Sequence, residues 1–332
     1  MARAVAGLVE YGRPLHILYL DNEHGKFAVE TFMRCASITV TFNPEPALVL
    51  TQLRALPGDW LRLVVDNGTS DDEWAFIESA IANVPGVEVL RLGANLGLAA
   101  AQNRGMEYLA AQGECTHVLL LDQDSEPLQG SARALADAHS ALVERGYPVG
   151  AVGPTLRDPL SGVQHGFHQV VGWRWVRVNP VDGAPVHCES LNGSGTFMAL
   201  DLALSLGGMD EGLFIDHVDT EWSFRLLASG RRLYGVPEAS FLHRMGDRTT
   251  RLWLFGWRVW PVRSPHRHRY LFRNAVLLLG RSYVPPIWKA WALVKLGLTV
   301  AVFALAGPQR LAQLSNMVAG VRDGVLGRSG AL

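Results

Sequence analysis

Two carboxylates one residue apart, Asp122 and Asp124, stand directly behind an apolar run in the string LLLDQDS. A strand ending there delivers both into one loop. Oxygen ligands so placed suit a hard divalent cation, which can bridge them to a diphosphate. Such an ion stabilises the charge that develops on a departing phosphate. Asp is also common in solvated turns after strands, so the pair alone leaves both readings open. In VVDNGTSD, Asp66 closes a second apolar run. Its carboxylate can accept a hydrogen bond from a pyrimidine N3–H or a ribose hydroxyl, or simply open an Asn-Gly turn. In GANLGLAAAQNRG, small residues start a helix and would admit backbone N–H groups or Arg104 to a ligand. Close packing of that helix on a sheet explains them equally. Neither a Walker A sequence nor a complete GxGxxG occurs, which argues against an ATPase or a dinucleotide enzyme. In GGMDEGLFIDHVDTEW, the acids Asp216, Asp219 and Glu221 surround a helix start, more than one cap needs. A carboxylate there can take the proton of an attacking hydroxyl; capping plus surface charge is the alternative. His243, after another apolar stretch, is either an ordinary packed residue or the nitrogen ligand that joins Asp124 around a metal.

The elements that must hold these residues are legible as periodic runs. Strand signals occur at 37–42, 61–65, 87–92, 117–121 and 149–153. Helical stretches at 45–55, 97–112 and 132–144 lie between them, with another opening at the N-cap Ser70 and its acids Asp71, Asp72 and Glu73. This alternation predicts an α/β fold with a mostly parallel sheet covered by helices on both faces. Ligands bind such sheets at the carboxyl ends of the strands. Asn43, Asp66, Asn95 and Asp122 each lie just after a strand. Past residue 155 the rhythm changes. A turn is expected around Asp158-Pro159 and Ser161-Gly162. Trp173 and Trp175 mark one face of a strand or hairpin over 170–178, and helices are expected at 202–206 and 219–229, the second stopped by Gly230.

The 332 residues suffice for one large domain or a domain with an appendage, and 48 % hydrophobic content supports a substantial core. A net charge of -1 gives no global field for nucleic acid, which is therefore not an expected partner. Cys35, Cys115 and Cys188 form no CxxC, so a disulfide framework or zinc site is not expected and a reducing cytoplasm fits. Residues 1–13 lack the pattern of a signal peptide. Residues 1–34 read as a flank of unknown role, with 21–26 breaking any periodicity and Met33 a possible start. From Arg244 to Lys295 eleven basic residues face one acid, Asp247, with Trp253, Phe255, Trp257 and Trp260 interleaved. The stretch 288–306 approaches the length of a spanning helix but contains Lys295.

Taken in order, VVDNGTSDDE, RLGANLGLAAAQNRG, LLLDQDS, GGMDEGLFIDHVDTEW and HRYLFRN resemble the family-2 glycosyltransferases of GT-A fold, closest to their bacterial rhamnosyltransferase branch. The resemblance runs from about Ser37 to Gly327. It implies a GT-A domain over 35–260 and a basic, apolar helical region over 261–332. It implies that Thr41, Asn43 and Asp66 hold a nucleoside, and that Asn95 and Arg104 lie near the nucleotide. Asp122 and Asp124 match the DxD-type pair, with Asp124 and His243 the direct ligands of Mn or Mg. Ser194 and Gly195 would line the donor sugar, and Asp219 would be the catalytic base. Val218 stands where the usual Glu-Asp pair has its Glu, which leaves Asp216 and Glu221 as competing bases. The implied reaction is metal-dependent, inverting transfer of rhamnose from a dTDP-sugar to a glycan or lipid-linked acceptor in cell-surface polysaccharide synthesis. The basic, Trp-rich end suggests peripheral attachment to anionic lipid on the cytoplasmic face of the plasma membrane; its apolar stripe Leu293, Leu296, Val300 and Phe303 packing on the catalytic domain is the alternative. Two further readings are a sugar transferase acting on polyprenyl phosphate and an inactive nucleotide-binding scaffold. None of the acids that the motifs require is missing.

Overall fold

A computed structural model describes residues 16–20, 27–31, 33–159, 162, 164–179, 183–243, 248–253, 257–305 and 307–332, with the backbone alone at 16–20, 27–31, 248–253 and 257–261. The leader reading at 1–13, the break at 21–26, Ser161, Arg244, Asp247 and Phe255 lie outside the described residues, as do the side chains of Trp253, Trp257 and Trp260.

An antiparallel hairpin of β1 (His16–Leu20) and β2 (Phe27–Thr31) precedes the main sheet. The expected alternation follows: β3 (Cys35–Thr41), α1 (Pro46–Ala55), β4 (Leu61–Asp66), α2 (Asp71–Ile81), β5 (Val87–Arg91), α3 (Leu98–Gln112) and β6 (His117–Asp122). These four strands pair in parallel, in the order β6-β3-β4-β5. Because side chains alternate across a strand, Ile38, Leu63, Val118 and Leu120 enter one apolar layer and Val64, Leu119 and Leu121 the other. Helix α3 covers the first layer; α1 and α2 cover the second. Ser70 caps α2 by accepting from the Glu73 N–H, as its position predicts.

The second half is less regular. It contains β7 (Ser125–Pro127), α4 (Ser131–Glu144), β8 (Val149–Arg157), β9 (Gln164–His165), β10 (Phe167–Val171), β11 (Arg174–Val178), β12 (Val186–Cys188), β13 (Thr196–Ala199), α5 (Leu200–Ser205), α6 (Val218–Ala228) and β14 (Arg232–His243). The sheet is mostly parallel, as expected, but β8 is not the neighbour of β6. Antiparallel β13 is inserted between them. The residues of β13 carry no local sign of this direction; it is set by the partners they find. At its start Gly195 has φ +92°, and a Cβ there would lie 2.5 Å from the Pro154 ring. Only glycine fits that turn. The expected hairpin forms from β10 and β11, but its turn falls at Gly172 and Trp173. Trp173 is therefore solvent-exposed, while Trp175 alone packs inward, on His168 and Phe224.

The backbone of β15 (Arg248–Trp253) and β16 (Trp257–Val262) forms a hairpin. Three helices end the described chain: α7 (Pro265–Leu279), α8 (Pro286–Leu305) and α9 (Arg310–Val325). They are not a detached appendage, since Leu278, Val284, Trp288 and Ala292 belong to the same apolar cluster as the sheet. Helix α8 turns Trp288, Ala292, Thr299 and Phe303 inward, and leaves Leu293, Val294, Leu298 and Val300 on the surface. All three cysteines are free.

Candidate active site

The carboxyl end of β6 places Asp122 at the rim of the sheet, and the two-residue turn before β7 carries Asp124. Strand β7 then pairs antiparallel with the end of β14, in a register that sets Ser125 opposite His243. That register joins residues far apart in the chain. Ligand atoms of Asp122, Asp124 and His243 all lie within 4.8 Å of one another. His243 Nδ1 is 3.5 Å from Asp124 Oδ1 and 3.1 Å from Ser125 Oγ. Two carboxylates and an imidazole at this separation form a mixed oxygen–nitrogen donor set that fits a divalent metal.

Buried Gln52 props up this turn. Its amide donates to the Asp122 carbonyl at 2.7 Å and to that of Ser125, while its oxygen accepts from Thr39 Oγ1 at 2.8 Å. Sequence reasoning missed Gln52. The available signal was a polar residue between Val49 and Leu53, both on the buried face of α1.

Ser194 Oγ donates to Asp122 Oδ2. The preceding residue, Gly193, donates its N–H to Asp219 Oδ2 at 3.1 Å. A single turn therefore touches both Asp122 and Asp219. The other Asp219 oxygen accepts from the Thr220 N–H at 2.7 Å and from its hydroxyl at 3.3 Å. Burial raises the Asp219 pKa above the usual carboxylate range; the nearby Asp122 charge adds to this, and the Gly193 and Thr220 hydrogen bonds oppose it.

The two neighbouring acids are differently placed. Asp216 is paired with Arg263 and with Arg267, the latter at 3.2 Å. Burial works against its charged form, but the two guanidinium groups outweigh it and hold its pKa down. Glu221 is 1 % exposed and accepts from Arg225 at 2.9 Å and Tyr283 at 2.6 Å, with Arg281 at 3.2 Å. Among the described residues, Asp219 is the member of this trio that makes no ion pair.

The loop ahead of α6 is strained. Phe214, Asp216 and His217 have φ of 63°, 60° and 63°, a conformation that costs about 1–3 kcal/mol per residue unless the surroundings impose it. Here they do. Asn274 Nδ2 reaches the carbonyls of Leu213, Ile215 and Asp216 at 2.9, 2.7 and 2.9 Å. Fully buried Arg273 binds the carbonyls of Gly212 and Leu213, at 3.2 and 2.9 Å. Both residues belong to the string HRYLFRN, whose role in positioning the loop the sequence did not reveal.

The residues expected on the nucleoside side from the sequence cluster separately at the ends of β3, β4 and β5. Asp66 is buried, accepts from the Thr69 N–H at 3.3 Å and lies 3.5 Å from Arg91 Nε. The Asn43 N–H donates to Thr69 Oγ1 at 3.0 Å. The buried Thr41 hydroxyl has no hydrogen-bond partner among the described residues. Asn95 accepts from Asn67 Nδ2 at 3.1 Å and the Gly97 N–H at 3.0 Å. Arg104 is paired with Glu107 at 3.0 Å and Glu211 at 3.5 Å, and shares with Asn95 a hollow closed by Phe214 and Ser329. The site residues read from the sequence thus form two groups: Asp122, Asp124, His243, Ser194 and Asp219, and the strand-end set beside them.

The profile described as Glycosyl transferase family 2 matches residues 38–144. The dTDP-rhamnosyl transferase RfbF of Shigella flexneri is 27 % identical over 311 residues, spanning 89 % of this chain and 96 % of that protein. The N-acetylglucosaminyl-diphospho-decaprenol L-rhamnosyltransferase of Mycobacterium tuberculosis is 30 % identical over 244 residues, spanning 64 % of this chain and 77 % of its own length. Among solved structures, the mannosyltransferase PcManGT from Pyrobaculum calidifontis, in complex with GDP-Man and Mn2+, superposes with a TM-score of 0.52 at 17 % identity, covering 89 % of this chain and 88 % of that one. GalNAc-T7 with UDP, GalNAc and Mn2+ gives 0.54 at 14 % identity over 92 % of this chain, which spans 58 % of that protein. These two likenesses concern the GT-A fold alone.

Asn274→Ala is expected to destabilise the protein by about 1–3 kcal/mol for each loop carbonyl left without a partner, and to lower turnover because the turn before Asp219 relaxes. Denaturant melts and rate measurements on the same preparation check it; unchanged stability would remove the clamp from the account.

Proposed function

This chain belongs to the family-2 glycosyltransferases, in their bacterial rhamnosyltransferase branch, and on that premise we propose that it transfers rhamnose from dTDP-rhamnose to a glycan or lipid-linked acceptor by metal-dependent, inverting displacement. The observation that carries this reading is the turn at 193–194, which hydrogen-bonds Asp122 on one side and the unpaired Asp219 on the other. The named donor of RfbF supports the choice of nucleotide sugar.

Thr41, Asn43 and Asp66 hold the nucleoside, with Asn95 and Arg104 beside it. Ser194 and Gly195 face the donor sugar. Asp124 and His243, with Asp122, would hold a Mn or Mg ion, which when bound would supply Lewis-acid neutralisation of the leaving diphosphate. Arg267 adds fixed positive charge: Asp216 first, and then Asp122 and Asp124, hold its guanidinium protonated. Asp219, oriented by Gly193 and Thr220, takes the proton of the acceptor hydroxyl. The acceptor oxygen forms a bond to the anomeric carbon as the bond to the diphosphate oxygen breaks on the opposite side, and the electron pair departs with dTDP. A β-linked activated rhamnose gives an α-rhamnoside. The leaving group needs no protonation by a second carboxylate, unlike that of a glycosidase. Asp216 and Glu221, neutralised by arginines, serve as anchors in this scheme.

Attachment to an anionic membrane from the cytoplasmic side is part of the proposal. Helix α8 has a mean hydropathy of 1.5 over 18 residues, only 28 % of that window is buried, and Leu293 and Val294 are more than half exposed. Lys295 within it favours lying in the interface over crossing.

Asp219→Asn is expected to fold, to bind dTDP, and to lose turnover by roughly 10²–10⁴-fold, the range for a general base. Retained activity there, with the loss appearing in Asp216→Asn or Glu221→Gln, would reassign the base. Asp124→Ala is expected to abolish transfer and the Mn-dependent part of dTDP binding, read by titration calorimetry with and without Mn; a mutant with unaltered metal dependence refutes the metal site. In co-sedimentation with phosphatidylglycerol vesicles, binding is expected at low salt and weakened at high salt. Absence of binding at both rules out attachment.

A further inference from the structure

The segment that follows α9 returns to the loop ahead of α6. Helix α9 packs on α7 with Gly324 at a point where a Cβ would stand 2.8 Å from the Arg273 carbonyl, so the chain leaves the helix beside Arg273. Gly327, in left-handed backbone at φ +67°, then reverses its direction. Arg328 fastens the reversal. Its N–H donates to the Asp323 carbonyl at 2.9 Å, and its guanidinium pairs with the Asp323 carboxylate, also at 2.9 Å. That carboxylate is fully buried and holds Arg269 as well, at 2.6 Å. Three backbone contacts follow. The Gly330 N–H donates to the Gly212 carbonyl at 2.7 Å, the Gly330 carbonyl accepts from Arg273 Nη1, and the Leu332 N–H donates to Tyr270 Oη at 2.9 Å.

The segment matters because of what Arg273 needs. Arg273 is 0 % exposed, and no carboxylate pairs with it among the described residues. A guanidinium so placed must direct its N–H groups to neutral acceptors. Its Nε finds Asn274 Oδ1 at 2.9 Å, and Nη2 finds the carbonyls of Gly212 and Leu213. Among the described residues, Nη1 has the Gly330 carbonyl alone. A buried charged donor without an acceptor costs more than a neutral one. If Gly330 leaves, the guanidinium gains by turning toward water, and Nη2 then releases the two loop carbonyls. Tyr270 forms a second link. Its ring stacks on Phe214 at 5.0 Å and lies 4.9 Å from the Arg273 guanidinium, while its hydroxyl accepts from Leu332. Both links end on the loop whose left-handed residues Phe214, Asp216 and His217 lead into Asp219.

We propose that residues 328–332 are a positioning strap for Asp219. Seated, the strap completes the acceptor set of Arg273 and holds the loop so that Asp219 meets Gly193 and Thr220. Unseated, it leaves the fold standing but lets Asp219 drift, and turnover falls. The turnover part rests on the reading of Asp219 as the base. The strap's hydrogen bonds go to the loop, to α7 and to Asp323, so it acts on Asp219 only through these neighbours.

The test uses the full chain and reads Asp219 without relying on activity. The Gly193 and Thr220 N–H groups donate to its two carboxylate oxygens, so their hydrogen exchange reports whether it is held in place. Gly330→Pro removes the donated N–H and replaces φ of +81° by about -65°. Tyr270→Phe removes only the acceptor for Leu332 and keeps the ring on Phe214. Met317→Ala, on the buried face of α9 against Phe272 and Phe303, controls for general destabilisation. In Gly330→Pro, exchange at both amides is expected to rise by about tenfold or more, the equivalent of one hydrogen bond to a charged group, with the amides of β3 and β4 as in the parent. Tyr270→Phe should move the same two amides in the same direction by a smaller factor, and decides alone if Gly330→Pro does not fold. Turnover is read as Mn-dependent hydrolysis of dTDP-rhamnose, in which water takes the acceptor's place. It should fall in the strap variants, below their melting temperatures and at unchanged KM for dTDP-rhamnose, while Met317→Ala keeps the parental rate. Parental exchange at Gly193 and Thr220 in both strap variants overturns the proposal. So does acceleration that spreads evenly to β3 and β4, since the segment is then a general fastener. So does loosened exchange with parental turnover when Asp219→Asn is inactive. If Asp219→Asn keeps the parent's rate, the base assignment fails instead, and the exchange result decides the strap.

Discussion

The clamp of Arg273 and Asn274 on the loop from Gly212 to His217 is the constraint on which both halves of the site depend. The loop is held in left-handed backbone at Phe214, Asp216 and His217, a state that persists only when its surroundings over-determine it. Once fixed, it reaches in three directions. The Phe214 carbonyl accepts from the Leu98 N–H at 2.7 Å, so it caps α3. That approach is why Gly97 must be glycine: a Cβ there would lie 2.5 Å from the Phe214 ring. Asp216 draws Arg263 and Arg267 in from the start of α7. Directly after the loop, α6 begins and presents Asp219. The C-terminal helices thus pack on the sheet and brace this loop, and the strings GANLG, GLFIDHVD and HRYLFRN describe one packed unit.

Three acids in six residues end with three different electrostatic fates. Asp216 meets two guanidinium groups; Glu221 is enclosed by Arg225, Arg281 and Tyr283; Asp219 receives only N–H and O–H donors. Pairs of titratable groups driven apart by their environments are the usual mark of divided roles. The division follows from helical geometry. Glu221 and Arg225 are one turn apart on the inward side of α6, whereas Asp219 lines a cavity with Asn192 and Thr220.

How much was legible in the sequence follows from how local each signal is. The strands of the parallel half announce themselves by apolar runs ending in polar residues, and Asp66 and Asp122 stand at the sheet rim as that rule requires. The strand pairings of the second half do not announce themselves. The direction of β13, the register that sets His243 opposite Ser125, and the turn position that exposes Trp173 are decided by partners tens of residues away. Gln52 was overlooked for a related reason. Its value lies in two carbonyls of a distant turn, and in its own helix it looks like one polar residue among Val49 and Leu53. In the basic run past residue 244 the individual partners were not legible. Composition gave it a single electrostatic character, yet Arg263, Arg267, Arg273 and Arg281 are each committed to specific acids or carbonyls within the fold.

The turn at 192–195 explains how Asp122 and Asp219 are kept at a fixed spacing. Ser194 Oγ holds Asp122, and Gly193 N–H holds Asp219. Asn192 braces the turn by accepting from the Ser194 N–H at 3.0 Å and, through its carbonyl, from Thr196 Oγ1 at 2.7 Å. The turn is itself pinned to the sheet where the Gly195 N–H donates to the Leu120 carbonyl at 2.8 Å, two residues before Asp122. The inverting displacement proposed above needs the base and the leaving diphosphate on opposite sides of one carbon, at a separation that does not drift. Tying both carboxylates to consecutive residues of a turn anchored on the strand that carries one of them satisfies that demand with few parts. It also accounts for the inserted antiparallel strand: β13 lies between β6 and β8 so that its leading turn emerges beside Asp122, where a purely parallel order would put a helix crossover instead.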